Sequence, residues 1–284
     1  EKTNTKKLAE MMVGSTIKAP DKLNKPAGRV MLNVNNICCV SKSQFGTSLT
    51  NVTFDLRQGE ILGIGGVAGN GQDELFAVLS GEQFSQHGSI SFNGINITKF
   101  NPNQRRKIGL LSAPEERLGH AAAPNMSLIE NTLITAENSQ NLVYRGFIDW
   151  KKSKAFAEKV IKKFDVRTPG SQNTAGSLSG GNLQKFVRGR EHLQNPSVFI
   201  VNQPTWGVDA AAASSIRQAL LTLSENGAAI LVISQDLDEL LEISDQFAAL
   251  NGGALSRIDK TADLSMEQIG LMMGGAKDLE VHNV

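Results

Sequence analysis

The 284-residue chain is short of cysteine and histidine. Its two cysteines, Cys38 and Cys39, are adjacent, an arrangement poorly suited to an ordinary structural disulfide. This indicates a reduced, cytosolic protein and argues against a disulfide-stapled secreted scaffold. The four histidines are scattered along the chain without metal-ligand spacing, so no metal site is predicted among them.

Long apolar runs and a strong charge imbalance are missing as well. No apolar stretch approaches the roughly 18–20 residues that a membrane-spanning helix needs. The 29 lysines and arginines nearly balance the 28 aspartates and glutamates, which argues against a broad nucleic-acid-binding surface. With 40% hydrophobic residues, the chain suits one medium-sized α/β domain, or one domain with an inserted lobe.

What the chain does contain, from Arg29 onward, is an alternation of strand-like and helix-like patterns. The strand-like segments are Val30–Val34, Val52–Leu56, Glu60–Gly65, Val198–Val201 and Ala229–Ile233. The last two are apolar runs followed by helical patterns, which predicts a mainly parallel sheet with helices on both faces. The middle of the chain, about residues 112–177, is rich in Pro, Ser and Asn and is predicted to form an inserted helical lobe.

The two ends of the chain carry a similar short pattern. Leu8–Ser15 resembles Ile269–Ala276, which suggests a repeat of roughly 260 residues whose preceding copy ends within residues 1–16. A chance recurrence of an amphipathic helix end explains the match as well. Residues 17–28 contain two prolines and several lysines, a composition typical of a linker. Residues 29–276 would then form one complete domain, and residues 277–284 a C-terminal tail.

A glycine-rich segment, Gly66–Asp73, lies between a predicted strand and a predicted helix, the context that a phosphate loop requires. Gly66 and Gly71 match the pattern G-x-x-x-x-G-K-[ST], but Gln72 and Asp73 occupy its last two positions. Backbone N–H groups could still hold phosphates. The cationic contact, worth roughly 1.5–3 kcal/mol, is lost, and Asp73 adds a repulsion that a metal ion could offset. Alone, the segment also fits a plain glycine-rich turn.

Amides follow two of the predicted buried strands. Asn202 and Gln203 come after Val198–Val201, and Gln235 comes shortly after Ala229–Ile233. A nucleotide hydrolase carries at such strand ends an acidic residue for Mg²⁺ and a carboxylate that orients the attacking water. Because an amide accepts no proton at neutral pH, general-base catalysis is not expected here. Taken alone, Asn202 and Gln203 also fit a hydrogen-bonded strand end.

A second phosphate-sized site is predicted at Ser177–Lys185. This segment places a serine and two glycines directly before a predicted helix. The backbone N–H groups of a helix start, together with a hydroxyl, form a ready anion-binding site.

In order and spacing, these segments resemble a nucleotide-binding cassette of an ABC transporter, and more narrowly the second, degenerate cassette of the tandem ATPases of bacterial sugar and nucleoside importers. The similar regions are Gly63–Leu75 (Walker A), Leu178–Lys185 (signature), Val198–Asp209 (Walker B and D-loop) and Ile233–Glu239 (switch region). The resemblance implies a P-loop NTPase-type ABC cassette: an α/β fold with a mainly parallel sheet, an antiparallel β subdomain and an inserted helical subdomain.

Departures from the family pattern affect the catalytic positions. The Walker A lysine, Walker B aspartate, catalytic glutamate and switch histidine are replaced by Gln72, Asn202, Gln203 and Gln235. All four are uncharged, so the chain's own site is predicted to hydrolyse ATP slowly or not at all. The signature is intact. Since ABC cassettes pair head to tail, the resemblance implies that Ser179, Gly180 and Gly181 act in trans on the ATP of a partner cassette.

Further residues are implied by the same resemblance. Phe45 is expected to stack on an adenine ring, the alternative being a core or edge-strand phenylalanine. Glu115 and Glu116 lie in a segment similar to the one that replaces the Q-loop in this subgroup, and are implied to sense the membrane subunits; a solvated acidic turn is the alternative. The other residues implied to bind nucleotide are Gly66, Gly69, Asn70, Gly71, Gln72, Asp73, Asn182 and Asp209.

The implied activity is that of a transport ATPase working as an assembled cassette pair at the cytoplasmic face of the membrane, with ATP as cofactor and Mg²⁺ mainly at the partner's site. The implied partners are a first cassette on the same polypeptide, transmembrane permease subunits and, through the complex, an extracytoplasmic substrate-binding protein, but no nucleic acid. Residues Gly66–Leu75 and Gln203–Asp209 resemble the nucleoside and basic-membrane-protein group more than ribose or galactose importers, which favours a nucleoside over a simple sugar as the expected cargo. A soluble ABC protein of translation or DNA repair, or a regulatory nucleotide sensor, is the alternative.

Overall fold

The computed structural model describes residues 27–275, which form two compact units. The first, here called the sheet unit, contains residues 27–115, Asn195–Gln203 and 223–275. The second, the helical unit, contains Glu116–Gln194 and Pro204–Thr222. The predicted preceding-cassette tail, all but the last two residues of the predicted linker, and the predicted C-terminal tail lie outside the described residues.

The strands, in chain order, are β1 (Val30–Cys39), β2 (Leu49–Arg57), β3 (Ile61–Gly65), β4 (His87–Phe92), β5 (Ile95–Asn96), β6 (Leu110–Ala113), β7 (Val143–Tyr144), β8 (Phe147–Ile148), β9 (Val198–Asn202), β10 (Ala229–Ser234), β11 (Gln246–Asn251), β12 (Ala254–Leu255) and β13 (Asp259–Lys260). The helices are α1 (Gln72–Ser80), α2 (Pro102–Lys107), α3 (Leu128–Ala136), α4 (Trp150–Lys163), α5 (Gly180–His192), α6 (Ala210–Glu225), α7 (Leu237–Ile243) and α8 (Met266–Met273). Short 3₁₀ turns lie at Ala175–Ser177 and Thr261–Asp263.

A seven-stranded sheet forms the centre of the sheet unit. Its order is β12–β11–β3–β10–β9–β6, with β13 also paired to β11. The five strands from β11 to β6 run parallel. Every residue of β3, β9 and β10 is buried, as expected for strands that are covered on both faces. The carboxyl ends of β3, β9 and β10 therefore lie side by side, where the predicted loop and amides begin.

A second, antiparallel sheet in the same unit has the order β2–β1–β4–β5. Its inward-facing residues share one hydrophobic core with the parallel sheet, so that Leu32 and Phe54 belong to the same cluster as Leu62 and Ile200. The predicted α/β class, with a mainly parallel sheet, an antiparallel β subdomain and a helical subdomain, is confirmed.

The helical unit is built on α3, α4 and α5. Its core joins Leu128 of α3 to Phe156 of α4 and Phe186 of α5. The predicted lobe of residues 112–177 covers α3 and α4, and the helical unit also includes α5 and the first part of α6. No helix within residues 27–275 is both long enough and apolar enough to cross a membrane.

A buried ion pair fixes α5 within the helical unit. Arg190 and Glu191 are almost completely buried and approach to 2.9 Å. The Arg190 guanidinium also donates hydrogen bonds to the carbonyl oxygens of Asn131 (2.9 Å) and Ala121 (2.8 Å). Since buried charges are stable only when they are paired and hydrogen-bonded, these contacts set the position of the helix that begins with the signature glycines.

Candidate functional site

The predicted phosphate loop follows β3 directly and ends at the start of α1. Gly69 and Gly71 have φ angles of +84° and +106°, which residues with a Cβ atom rarely adopt. Asn70 fastens the loop to the turn after β11, because its side-chain oxygen accepts from the Gly252 N–H (2.8 Å) and its carbonyl oxygen from the Gly253 N–H (3.0 Å). These contacts give the loop a defined conformation.

Gln72 fills the inside of this loop. Its side chain is only 5% exposed. Nε2 donates to the Val67 carbonyl oxygen, and Oε1 accepts from the Asn70 N–H, both at 2.9 Å. A Cβ atom on Gly66 would lie 2.6 Å from Nε2, so the carboxamide lies against the loop backbone. Gln72 thereby occupies one of the N–H groups that a bound phosphate would need.

Asp73 and Asn202 are neighbours in the sheet unit. Asn202 Nδ2 donates to Asp73 Oδ1 at 3.3 Å. The negative charge of this pair belongs to Asp73 in the first turn of α1, where the helix dipole favours it. The amide belongs to Asn202, the last residue of β9. Mg²⁺ at nucleotide sites is held by one or two carboxylates together with substrate phosphates. Asp73 could supply one such oxygen, but no side-chain cation of the loop faces a polyphosphate, so these residues do not fit a hydrolytic Mg²⁺–ATP site.

Gln203 has a hydrogen-bonded position at the end of β9. It is 4% exposed and adopts a left-handed φ of +49°. Its N–H donates to the Ile233 carbonyl oxygen at 2.8 Å. Its Oε1 accepts from the Ser234 hydroxyl (3.4 Å) and from the Gln235 N–H (3.3 Å). The side chain therefore ties β9 to the end of β10, while the Gln235 side chain itself is exposed.

Phe45 lies in the segment between β1 and β2 and is 89% exposed. It is therefore not a core residue, nor part of an edge strand. Its segment is fixed to α1 by Glu74, whose Oε1 accepts from the Ser41 hydroxyl (2.7 Å) and the Thr47 N–H (3.1 Å). Thr47 also donates from its hydroxyl to the Gly69 carbonyl oxygen at 2.6 Å. The segment that carries the exposed Phe45 ring is thus hydrogen-bonded to the phosphate loop. A ring that stacks on a base needs such an exposed position close to the phosphate site.

The signature segment lies in the helical unit, where Ser179 precedes the first residue of α5. Ser179 does not use its side chain to cap α5. Its hydroxyl oxygen instead accepts from Asn182 Nδ2 at 2.9 Å, and Asn182 Oδ1 accepts from the Arg167 N–H at 2.8 Å. The hydroxyl proton and the first N–H groups of α5, which have no intrahelical partners, are left to bind an anion.

Asp209, Glu115 and Glu116 are placed differently. Asp209 Oδ1 accepts from the Ala212 N–H at 2.8 Å, and so caps the start of α6 in the helical unit. Glu115 is the last residue of its stretch of the sheet unit, and Glu116 the first of the helical unit. Glu116 is exposed and Glu115 is half-buried.

Sequence reasoning missed the residues that hold the site in place. Neither the role of Glu74 under the Phe45 segment nor that of Asn70 on the turn at Gly252 was predicted. Asn70 is a short polar side chain in a loop, a type that commonly bonds to backbone N–H groups, and Glu74 is a carboxylate that accepts from a hydroxyl and a backbone N–H. Their partners, however, are distant in sequence, 182 residues away in the case of Asn70 and Gly252.

Comparison with known proteins agrees with this geometry. The family model described as "ABC transporter" matches residues 49–206, more than half of the chain. The glucose import ATP-binding protein TsgD13 of Haloferax volcanii is 34% identical over 95% of this chain and 50% of the relative. The nucleoside import ATP-binding protein NupA of Lactococcus lactis is 33% identical over 97% of this chain and 54% of the relative. The chain spans about half the length of these curated relatives.

Solved structures with the same fold are more distant in sequence. A nucleotide-free ATP-binding cassette from an ABC transporter superimposes with a TM-score of 0.67 at 22% identity, covering 89% of this chain and 98% of the other. A dimeric cassette bound to ADP and Pi gives a TM-score of 0.68 at 20% identity, covering 81% of this chain and 99% of the other. On the match to the family model, supported by this fold, the chain belongs to the ABC transporter ATP-binding cassette family.

Proposed function

We propose that the chain is the second, degenerate cassette of an importer's tandem ATPase, and that it completes the ATP site of its partner cassette through Ser179, Gly180 and Gly181. The observation that carries this proposal is the position of Gln72. Its carboxamide fills the chain's own phosphate loop and binds the Asn70 N–H. The helix start after Ser179, in contrast, keeps its anion-binding donors.

The chain's own site lacks the chemistry of hydrolysis. Gln72 offers no positive charge to a polyphosphate, and a charge-assisted contact is roughly twice as strong as a neutral one. Gln203 cannot accept a proton from water, and its side-chain oxygen is already bonded to Ser234 and to the Gln235 N–H. This site therefore hydrolyses ATP slowly or not at all, and any nucleotide that it binds has a structural role.

The signature residues, in contrast, offer hydrogen-bond donors to a phosphate. ATP with Mg²⁺ at the partner's site supplies the phosphoanhydride bond that is broken. The Ser179 hydroxyl and the backbone N–H groups of Gly180 and Gly181 would donate hydrogen bonds to its terminal phosphate. Asn182 holds the Ser179 oxygen at 2.9 Å and so orients the hydroxyl. Donors held in place in this way stabilise developing negative charge without reorganisation.

The proposed context is an importer. The relatives are named as import ATP-binding proteins for glucose and for nucleosides, which supports a simple sugar or a nucleoside as cargo. The proposed partners are a first cassette on the same polypeptide, with residues 1–16 as its tail and 17–28 as the linker, the permease subunits at the cytoplasmic face of the membrane, and a substrate-binding protein. Glu115 and Glu116 then form the coupling loop toward the permease.

Ser179→Ala in the full tandem protein, assembled with its permease, tests the trans role. Loss of an oriented donor from a site of developing charge is expected to lower ATPase and uptake rates about 10- to 100-fold. Ser177→Ala is the matched control, because the Ser177 hydroxyl is exposed and, among residues 27–275, donates only to the Thr174 carbonyl oxygen. Equal rates in the two variants would disprove the proposal.

A further inference from the structure

The guanidinium group of Arg117 lies at the start of α5. A Cβ atom built on Gly180 would be 2.7 Å from Nη1 of Arg117, and one built on Gly207 would be 2.7 Å from Nη2. The turn at Gly207 also lies near the helix start, since a Cβ atom on Gly181 would be 3.9 Å from the Gly207 carbonyl oxygen. All of these residues belong to the helical unit, and Arg117 therefore contacts the signature and the turn before Asp209 together.

This positive charge is not neutralised by the surrounding chain. Arg117 is half-buried, yet its guanidinium has no hydrogen-bonding or ion-pairing partner within residues 27–275. The first turn of α5 contains no acidic residue, and the N-terminal end of a helix adds a positive partial charge of its own. A half-buried arginine beside such a helix start favours an anion.

Two other arginines of this chain, Arg105 and Arg190, have a purely structural role. Arg105 donates to the carbonyl oxygens of Phe100, Val78, Leu79 and Ile97. Arg190 donates to two backbone carbonyl oxygens and to Glu191. Both are 1% exposed. The Arg117 guanidinium makes no such contact and remains partly exposed. A structural role of this kind therefore does not explain its position.

The glycines around Arg117 leave room for its guanidinium. Gly207 has a φ of +70°, which itself favours glycine. The backbone of Gly180 is not left-handed, and its conformation would accept an ordinary side chain. What such a side chain would meet is Nη1 of Arg117. The absence of a side chain at Gly180 therefore keeps the guanidinium next to the donors of the signature.

We propose that Arg117 is part of the signature site and donates hydrogen bonds to the terminal phosphate of the ATP held by the partner cassette. This inference rests on the proposed function and adds a phosphate-contacting residue to the same site. The planar guanidinium can bond two phosphate oxygens at once. Arg117 would supply, from the signature side, a positive charge that the N–H groups and the Ser179 hydroxyl cannot provide.

Binding measurements on the assembled transporter test this role. In Arg117→Gln, the affinity of the partner site for the nonhydrolysable analogue AMP-PNP is expected to fall about 10- to 100-fold, since a charge-assisted contact is lost. The affinity for ADP is expected to stay within about twofold, because ADP lacks the terminal phosphate. Arg117→Lys, which keeps a point charge but not the fork, should give an intermediate loss for AMP-PNP.

The outcomes separate the inference from the proposed function. If Arg117→Gln weakens AMP-PNP and ADP equally and lowers the melting temperature, Arg117 only braces the helix start and the inference is wrong. If Ser179→Ala abolishes uptake while Arg117→Gln keeps full AMP-PNP affinity, the inference alone fails. If Ser179→Ala leaves uptake unchanged, the proposed function fails, and the role of Arg117 fails with it.

Discussion

At the level of single residues, the proposed loss of activity at the chain's own site depends on one carboxamide in the phosphate loop. A lysine at position 72 would place a cation beside the phosphates, whereas Gln72 turns both of its polar atoms onto the loop itself. Its Oε1 occupies the Asn70 N–H as a phosphate oxygen would. Binding of a polyphosphate therefore requires these two hydrogen bonds to break, at a net cost of about 1 kcal/mol each.

Shortening this side chain or giving it a positive charge should raise the affinity for nucleotide, whereas giving it a negative charge should lower that affinity. Gln72→Ala frees the Asn70 N–H and the space beside Gly66, so a fluorescent ATP analogue is expected to bind about 3- to 10-fold more tightly. Gln72→Lys adds the missing cation and should strengthen binding about 10- to 100-fold. Gln72→Glu keeps the size but adds a negative charge, and should weaken binding. Equilibrium titration of the chain measures all three, and identical affinities would show that Gln72 does not control the loop.

At the scale of elements, α1 depends on a residue outside its own sequence. Its last turn contains no basic residue, although a cation there would stabilise the helix dipole. Arg105, at α2, supplies that charge by donating to the carbonyl oxygens of Val78 (2.9 Å) and Leu79 (2.6 Å). Burial lowers the pKa of Arg105 to about 10, so the guanidinium remains charged at neutral pH. The C-terminal end of α1 is fixed in this way.

Loss of this guanidinium should destabilise the sheet unit. Arg105→Met leaves the carbonyl oxygens of Leu79 and Phe100 without their donor and removes a second donor from those of Val78 and Ile97, and we expect the free energy of unfolding to fall by about 3 kcal/mol. Arg105→Lys restores the charge and part of the bonding, and should recover part of the loss. Lys107→Met, at an exposed position of the same helix, should change the free energy by less than about 0.5 kcal/mol. Urea denaturation measures these values, and an equal effect of the Arg105 and Lys107 substitutions would contradict the capping role.

The elements themselves could be predicted from the sequence where the pattern is local. The apolar runs at β9 and β10 predict buried strands because each is continuous and followed by a helical pattern. The phosphate loop could also be predicted, because its glycines form a local pattern between a strand and a helix. The direction of the Gln72 side chain could not be predicted in this way, because its bonds to the Val67 carbonyl oxygen and the Asn70 N–H depend on the folded shape of the loop. Arg117 was missed because its contacts at Gly180 and Gly207 arise only when distant segments of the chain fold together.

At the scale of the whole molecule, the two units differ in what acid does to them. In the helical unit, burial, and to a lesser degree the charge of Lys163, lower the pKa of His192 to about 4. His192 also packs edge-on against Phe164 at 5.4 Å. In the sheet unit, burial raises the pKa of Glu60. Protonation of His192 therefore favours unfolding of the helical unit, while protonation of Glu60 favours the folded sheet unit.

Acid should accordingly destabilise the helical unit first. Between pH 6.5 and about 4, His192 binds a proton in the unfolded chain but not in the folded helical unit. The free energy of unfolding of the helical unit should therefore fall by roughly 3 kcal/mol as the pH is lowered across this window. Below about pH 4 it should level off. Both tryptophans, Trp150 and Trp206, belong to the helical unit, and their fluorescence reports its unfolding, whereas far-ultraviolet circular dichroism reports both units. The tryptophan midpoint in urea is expected to fall with pH while the dichroism transition broadens. His192→Gln should remove most of this pH dependence; an unchanged slope in that variant would assign the acid sensitivity to another group.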